Sequence, residues 1–142
     1  MQERELREFV ETWKSARAQG VPLPITDDPS YASLEALLQH VLGASRFYVT
    51  WLCEKLGLPS PAISALPETG WTAESIGTFV DQLEEGWRTA LVTVSNDALE
   101  SENWLAPWGA PFTADSMLEH AVMHPIRHRF QLNQWLEGQS RR

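Results

Sequence analysis

The 142-residue chain predicts an all-α fold, a single four-helix bundle with long crossover loops. Three observations carry that expectation. Four segments of about 16 to 26 residues place apolar side chains at helical spacing. Each is bounded by residues that cap or break a helix. No stretch of any length alternates apolar and polar residues as a half-buried strand does. At this length, with no repeat or composition shift, residues 1–142 read as one domain with a core of its own.

The first helix is expected from about Glu3 to Ala18, with Leu6, Phe9, Val10 and Trp13 on one face and Gly20 as its stop. Val21 to Pro29 holds three prolines and two aspartates and reads as a linker. Ser30 is placed to cap a second helix from about Tyr31 to Leu56, ended by Gly57. Leu34, Leu37, Leu38, Val41, Ala44, Tyr48, Trp51 and Leu52 form its apolar arc. Residues 57–70 hold three prolines and two glycines, a long loop. Thr72 caps a third helix, roughly Ala73 to Val94, with Ile76, Phe79, Val80, Leu83, Trp87 and Leu91 inward. Asn96 to Pro111 is polar and broken by Pro107, Gly109 and Pro111. Val92-Thr93-Val94 is β-prone but too short to form a predicted strand. Thr113 then caps a fourth helix from about Ala114 to Leu136.

Bulk properties narrow the function. The net charge is −8 and the eleven Lys and Arg are scattered, apart from small clusters at 127–129 and 141–142. A phosphate-backbone binder needs clustered cations, so no nucleic acid partner is expected. No apolar run approaches the roughly 20 residues of a membrane span. The charged N-terminus lacks a signal-peptide apolar region, and one cysteine, Cys53, precludes an intrachain disulfide. A cytoplasmic location is expected. Of seven tryptophans, Trp13, Trp51, Trp87 and Trp135 fall one in each helix and read as core or interface residues. Trp71, Trp104 and Trp108 lie in connections and are freer to line a pocket or partner surface.

The most informative residues are histidines. His120, His124 and His128 recur every four residues in the last helix, and His40 lies in the second. That spacing puts successive imidazoles on one helix face. At about 100° per residue, Met117, His120, Ala121, His124, His128, Gln131, Leu132 and Trp135 share an arc, with Glu119, Arg129, Asn133 and Glu137 opposite. The ladder therefore coincides with the face expected to be buried. Unpaired buried nitrogens cost about 1–3 kcal/mol each, and a metal ion supplies one partner to all. A lone buried histidine is usually a satisfied core residue, but a stripe of three is not the usual case. The pattern is not the zincin His-Glu-x-x-His motif, because Ala121 follows His120 and Pro125 follows His124. Cys53 stands thirteen residues from His40, roughly 20 Å along a helix, and is assigned to packing. Pro125 removes a helical hydrogen bond and disfavours the α conformation at His124, so a kinked but continuous helix is expected.

These pieces resemble the DinB/YfiT-like family of four-helix-bundle metal proteins. That family is marked by a histidine in helix two and a His-x-x-x-His pair in the last helix, followed by Arg-Gly-Gln. The matching residues are His40 within Leu37-Leu38-Gln39-His40-Val41, His124-Pro125-Ile126-Arg127-His128, and Arg129-Phe130-Gln131. Gly109 to His120, with Thr113 and Met117-Leu118, is similar to the family's lead-in to its last helix. Phe130 stands where the family has glycine, and Pro125 lies between the paired histidines.

The resemblance implies His40, His124 and His128 as the three ligands of a divalent metal, with open positions for water or substrate; three imidazoles suit zinc, nickel, copper or iron, of which zinc or nickel is expected first. His120 lies outside that trio and is expected to handle protons as a catalytic residue. Three protein ligands with open positions make a catalytic rather than a closed structural site. Such an ion lowers the pKa of bound water or thiol. The resemblance further implies a thiol S-transferase acting on small electrophiles with a low-molecular-weight thiol such as bacillithiol or mycothiol, working as a homodimer. Two alternatives are a metal-dependent hydrolase of a small amide or ester, and a non-catalytic, stress-related metal-binding protein.

Overall fold

A computed structural model of the chain describes residues 2–67, 70–93 and 104–140. The expected helix end at Val94, the first part of the 96–111 loop and the basic pair at 141–142 lie outside the described residues.

Four long helices are present among the described residues: α1 (Gln2–Gln19), α2 (Leu34–Lys55), α3 (Ala73–Thr93) and α4 (Ala114–Ser140). The all-α bundle expected from the sequence is the fold observed. α4 packs chiefly along α1 and then α2, while α3 lies against α2 and α1. The inward positions are those that the apolar spacing picked out. Leu6, Phe9 and Trp13 of α1 meet Leu37, Leu38 and Leu42 of α2, Leu83 and Trp87 of α3, and Met117 and Leu132 of α4. Burying each such side chain contributes about 1.5–3 kcal/mol before entropy is counted. The two largest also satisfy their indole N–H groups. Trp13 Nε1 donates to the Leu34 carbonyl at 2.6 Å, and Trp87 Nε1 to Ser45 Oγ at 3.1 Å.

Helix boundaries follow their caps. Thr72 Oγ1 accepts from the Ser75 N–H at 3.1 Å, and Thr113 Oγ1 from the Ser116 N–H at 3.0 Å, as expected. Gly20 and Gly57, at φ of 63° and 68°, adopt the left-handed conformation that ends α1 and α2. The start of α2 differs from the expectation. Ser30 lies instead in a single 3-10 turn, Pro29–Tyr31, which Asp28 caps by accepting the Ser30 N–H at 2.9 Å. The backbone becomes extended again at Ser33, whose Oγ accepts the Ala36 N–H at 3.0 Å and starts the helix. Asp28 thus takes the Ser30 N–H for a short turn of its own, and the α-helix restarts three residues later.

Two further departures concern the last third of the chain. A two-residue antiparallel ladder, β1 (Trp104–Leu105) with β2 (Pro111–Phe112), closes part of the expected loop. Two pairs are too few for any alternation to register in sequence. Between them the Ala106 N–H donates to the Ala110 carbonyl and the Gly109 N–H to the Ala106 carbonyl, both at 2.8 Å, so Trp108 projects from a tight turn. α4 also runs unbroken through Pro125 and on to Ser140, past the expected end at Leu136. Pro125 is buried in the packed length of α4, so tertiary contacts hold the helix where the proline removes a hydrogen bond. Among the described residues no helix is long and apolar enough to cross a membrane.

Of the tryptophans, Trp13, Trp51 and Trp87 are buried and Trp135 is half-buried. Trp71, placed by the sequence in a loop, is also buried, edge-on to Phe79 at 5.9 Å. Trp108 is 47% exposed.

Candidate metal centre

α2 and α4 run side by side so that His40 faces the second half of the histidine ladder. Ring centroids lie 4.8 Å apart for His40 and His124, 5.1 Å for His40 and His128, and 4.7 Å for His124 and His128. One ligand nitrogen from each imidazole falls within 4.8 Å of the other two. His40 Nε2 and His124 Nε2 are 3.1 Å apart. Ligand nitrogens of a tetrahedral zinc with bonds of about 2.0–2.1 Å sit about 3.3 Å apart; the His40–His124 pair has that spacing, and separations of up to 4.8 Å elsewhere in the trio would close by a small turn of the rings onto a shared ion.

The proton positions follow from partners. His128 Nδ1 is 2.9 Å from Gln131 Oε1, and an amide oxygen only accepts. Nδ1 therefore carries the proton, and the lone pair sits on Nε2. Tyr31 OH donates to the same Gln131 oxygen at 3.1 Å, holding the amide from its far side. His128 Nε2 is then a buried acceptor without a hydrogen-bond partner among the described residues, and His124 Nδ1 is likewise partnerless. Metal-bound histidines characteristically donate their second nitrogen to an oxygen, and His128 has that arrangement.

All four imidazoles are biased towards the neutral form that can coordinate metal. Burial pushes His124 down to about 3, with further lowering by His128, His40, His120 and Arg127. Burial also pushes His128 down to about 4, partly offset by its bond to Gln131. His40 is lowered by burial, although Asp28 opposes the shift, and His120 is lowered by burial and by Arg127. Tyr48, edge-on to His124 at 5.9 Å, has its phenol pushed up by burial.

The structure sorts the ladder. His124 and His128 join His40, whereas His120 does not enter the cluster. The expectation that His120 shares the buried face is corrected: it is exposed, and the core face at that level is Met117 and Ala121. His120 lies at the edge of the arc, where it stacks on Trp108 at 5.5 Å and 23° and on His124 at 6.3 Å and 27°. Phe112 and Tyr48 meet its ring edge-on at 5.8 and 5.3 Å. Of the cluster itself only His128 is fully buried, and His40 and His124 are half-buried, so the site opens to one side. Cys53 is buried, its thiol pushed up by burial, in keeping with a packing role.

Gln131 and Tyr31 had no assigned role in the sequence reading. Gln131 stands three residues after His128, one turn along the same face, and its place in the Arg129-Phe130-Gln131 match is a further signal. Tyr31 arrives from the 3-10 turn, and nothing local in sequence reports it. No family model, curated protein or solved structure matches the chain.

Proposed function

We propose that the chain is a divalent-metal protein of the DinB/YfiT-like kind, with His40, His124 and His128 as ligands of one zinc or nickel ion. The carrying observation is the convergence of three neutral imidazoles from two helices on a buried, partnerless His128 Nε2. Neutral nitrogen donors, with no thiolate or carboxylate in the cluster, suit a borderline ion of this kind. The reaction we propose is transfer of a small thiol to a small electrophile, and this part rests on the family resemblance. A homodimer in the cytoplasm completes the proposal on the same ground.

The chain's own residues divide the work. Gln131, steadied by Tyr31, fixes the tautomer and direction of His128. A bound divalent ion would supply Lewis acidity that favours thiolate over thiol near neutral pH. His120, neutral and exposed beside His124, accepts the proton that the thiol gives up. Trp108, Phe112 and Tyr48 pack against its ring and set its orientation.

The test uses the full chain loaded with cobalt as a reporter. One ion per chain is expected, and it is lost in His40→Ala and His128→Ala. A small thiol should add a sulfur-to-cobalt absorption band, and thiol plus an aryl chloride should turn over. Ester hydrolysis without thiol would favour the hydrolase instead, and binding without either reaction the non-catalytic protein. Full metal stoichiometry in both alanine variants would defeat every one of these readings.

A further inference from the structure

The flank of α4 beside the imidazole cluster carries an open hollow of about 580 Å³, lined by residues of α4 alone. Met123, Ile126 and Phe130 give it an apolar wall next to His124, and Met123 and Phe130 are 58% and 63% exposed. Arg127 lies on the same wall, and no acidic side chain lines the hollow among the described residues.

Arg127 stands apart from the other cations. Arg4, Arg7, Lys14, Arg17, Arg88 and Arg129 each lie within 4.0 Å of a carboxylate. Arg46 donates to the Ile63 carbonyl, and Lys55 lies over the Trp51 ring. Arg127 alone has no partner among the described residues, in a chain whose net charge is −8. It lines the same surface as His120 and His124, one turn from His124 along α4.

A free guanidinium beside exposed apolar side chains fits an amphipathic anion, and its planar fork matches a carboxylate two-to-two. We propose that Arg127 anchors the substrate's carboxylate, and that the site takes small carboxylic acids whose apolar body lies along Met123, Ile126 and Phe130. The proposal rests on the imidazole cluster being the reactive end of this hollow. A carboxylate held at Arg127 leaves the remainder of the molecule beside His124.

The experiment is calorimetric titration of the full chain, metal-free and cobalt-loaded, with 4-phenylbutyrate, its amide and the matching phosphonate. We expect the carboxylate to bind at least about tenfold more tightly than the amide, as loss of one charge-assisted pair implies. Arg127→Gln should erase that difference and Arg127→Lys should keep part of it. Equal binding of acid and amide, no binding of the acid, or undiminished acid binding by Arg127→Gln overturns the proposal. A phosphonate preferred tenfold overturns the carboxylate class. Cobalt content of the same samples separates the two readings. Arg127→Gln with full cobalt and weakened acid binding supports the anchor. Acid binding that survives in His128→Ala, where cobalt is lost, supports it independently of the metal.

Discussion

Two groups of buried polar side chains, one where α1 meets α3 and α4 and one between α2 and α4, are stabilised in contrasting ways. On the α1 side, Glu5 and Glu84 are only 4% and 8% exposed, and each faces a guanidinium. Arg7 reaches Glu84 at 2.6 Å and Asp81 at 2.9 Å, while Arg129 pairs with Glu8 and Glu5. On the α2 side, three imidazoles meet with no carboxylate paired to them among the described residues. In the first group every buried carboxylate has a guanidinium within 4.0 Å, although Glu5 Oε2 and Glu84 Oε1 take no directed hydrogen bond. The second is a set of like groups that would repel one another if charged, with two ring nitrogens, His124 Nδ1 and His128 Nε2, that have no hydrogen-bond partner among the described residues. Charges that balance locally serve stability, and donors that converge without balance point to an external partner.

Acid should separate the two groups most strongly. The folded-state values of His124 and His128, about 3 and about 4, lie below the ordinary value of 6.5. The unfolded chain therefore binds protons below pH 6.5 that the folded chain refuses. Stability is full above that pH and declines as pH falls towards about 4, by an amount on the order of 3 kcal/mol for buried His128 alone. Urea titrations of metal-free protein from pH 7 to 4 should show this decline, and His128→Leu should flatten it. An equal slope in both proteins would remove the imidazoles from the explanation.

The next effect compares two leucine substitutions. Glu84→Leu removes the buried carboxylate on Arg7, leaving only exposed Asp81, and should cost about 1–3 kcal/mol in thermal unfolding. His128→Leu removes a partnerless acceptor and should leave the metal-free protein within about 1 kcal/mol of the original. Similar losses in both would show that the imidazole cluster is as self-sufficient as the carboxylate one. A finer test addresses orientation. Gln131→Leu frees the His128 ring and should weaken cobalt binding about 10- to 100-fold, whereas Gln131→Glu should retain much of it. Smallest of all, Lys14→Ala breaks an exposed pair with Glu11 and should shift stability by less than about 0.5 kcal/mol.

Much of this was legible in the sequence because it depends on local periodicity. Leu6, Phe9 and Trp13, or Leu83 and Trp87, are buried where a 3.6-residue repeat puts them. The same periodicity placed His124 and His128 together, and the family resemblance supplied His40 as their partner. What it misjudged was local competition and arc edges. Asp28 diverted the start of α2 into its own turn, and His120, at the arc's edge, emerged at the surface. Tyr31 touches Gln131 across a hundred residues, and the Trp108 turn depends on a two-pair ladder. Such long-range pairings leave no period to read.

Pro125 gives the site a mechanical character. Lacking an N–H, it leaves the α4 backbone one rung short, at the Ala121 carbonyl in the turn that leads into the paired imidazoles. An ion gripped by both His124 and His128 would staple the turn that begins at that gap. Occupancy of the site and stiffness of the molecule's longest helix would then be one variable, written into the hydrogen-exchange rates of the amides on either side.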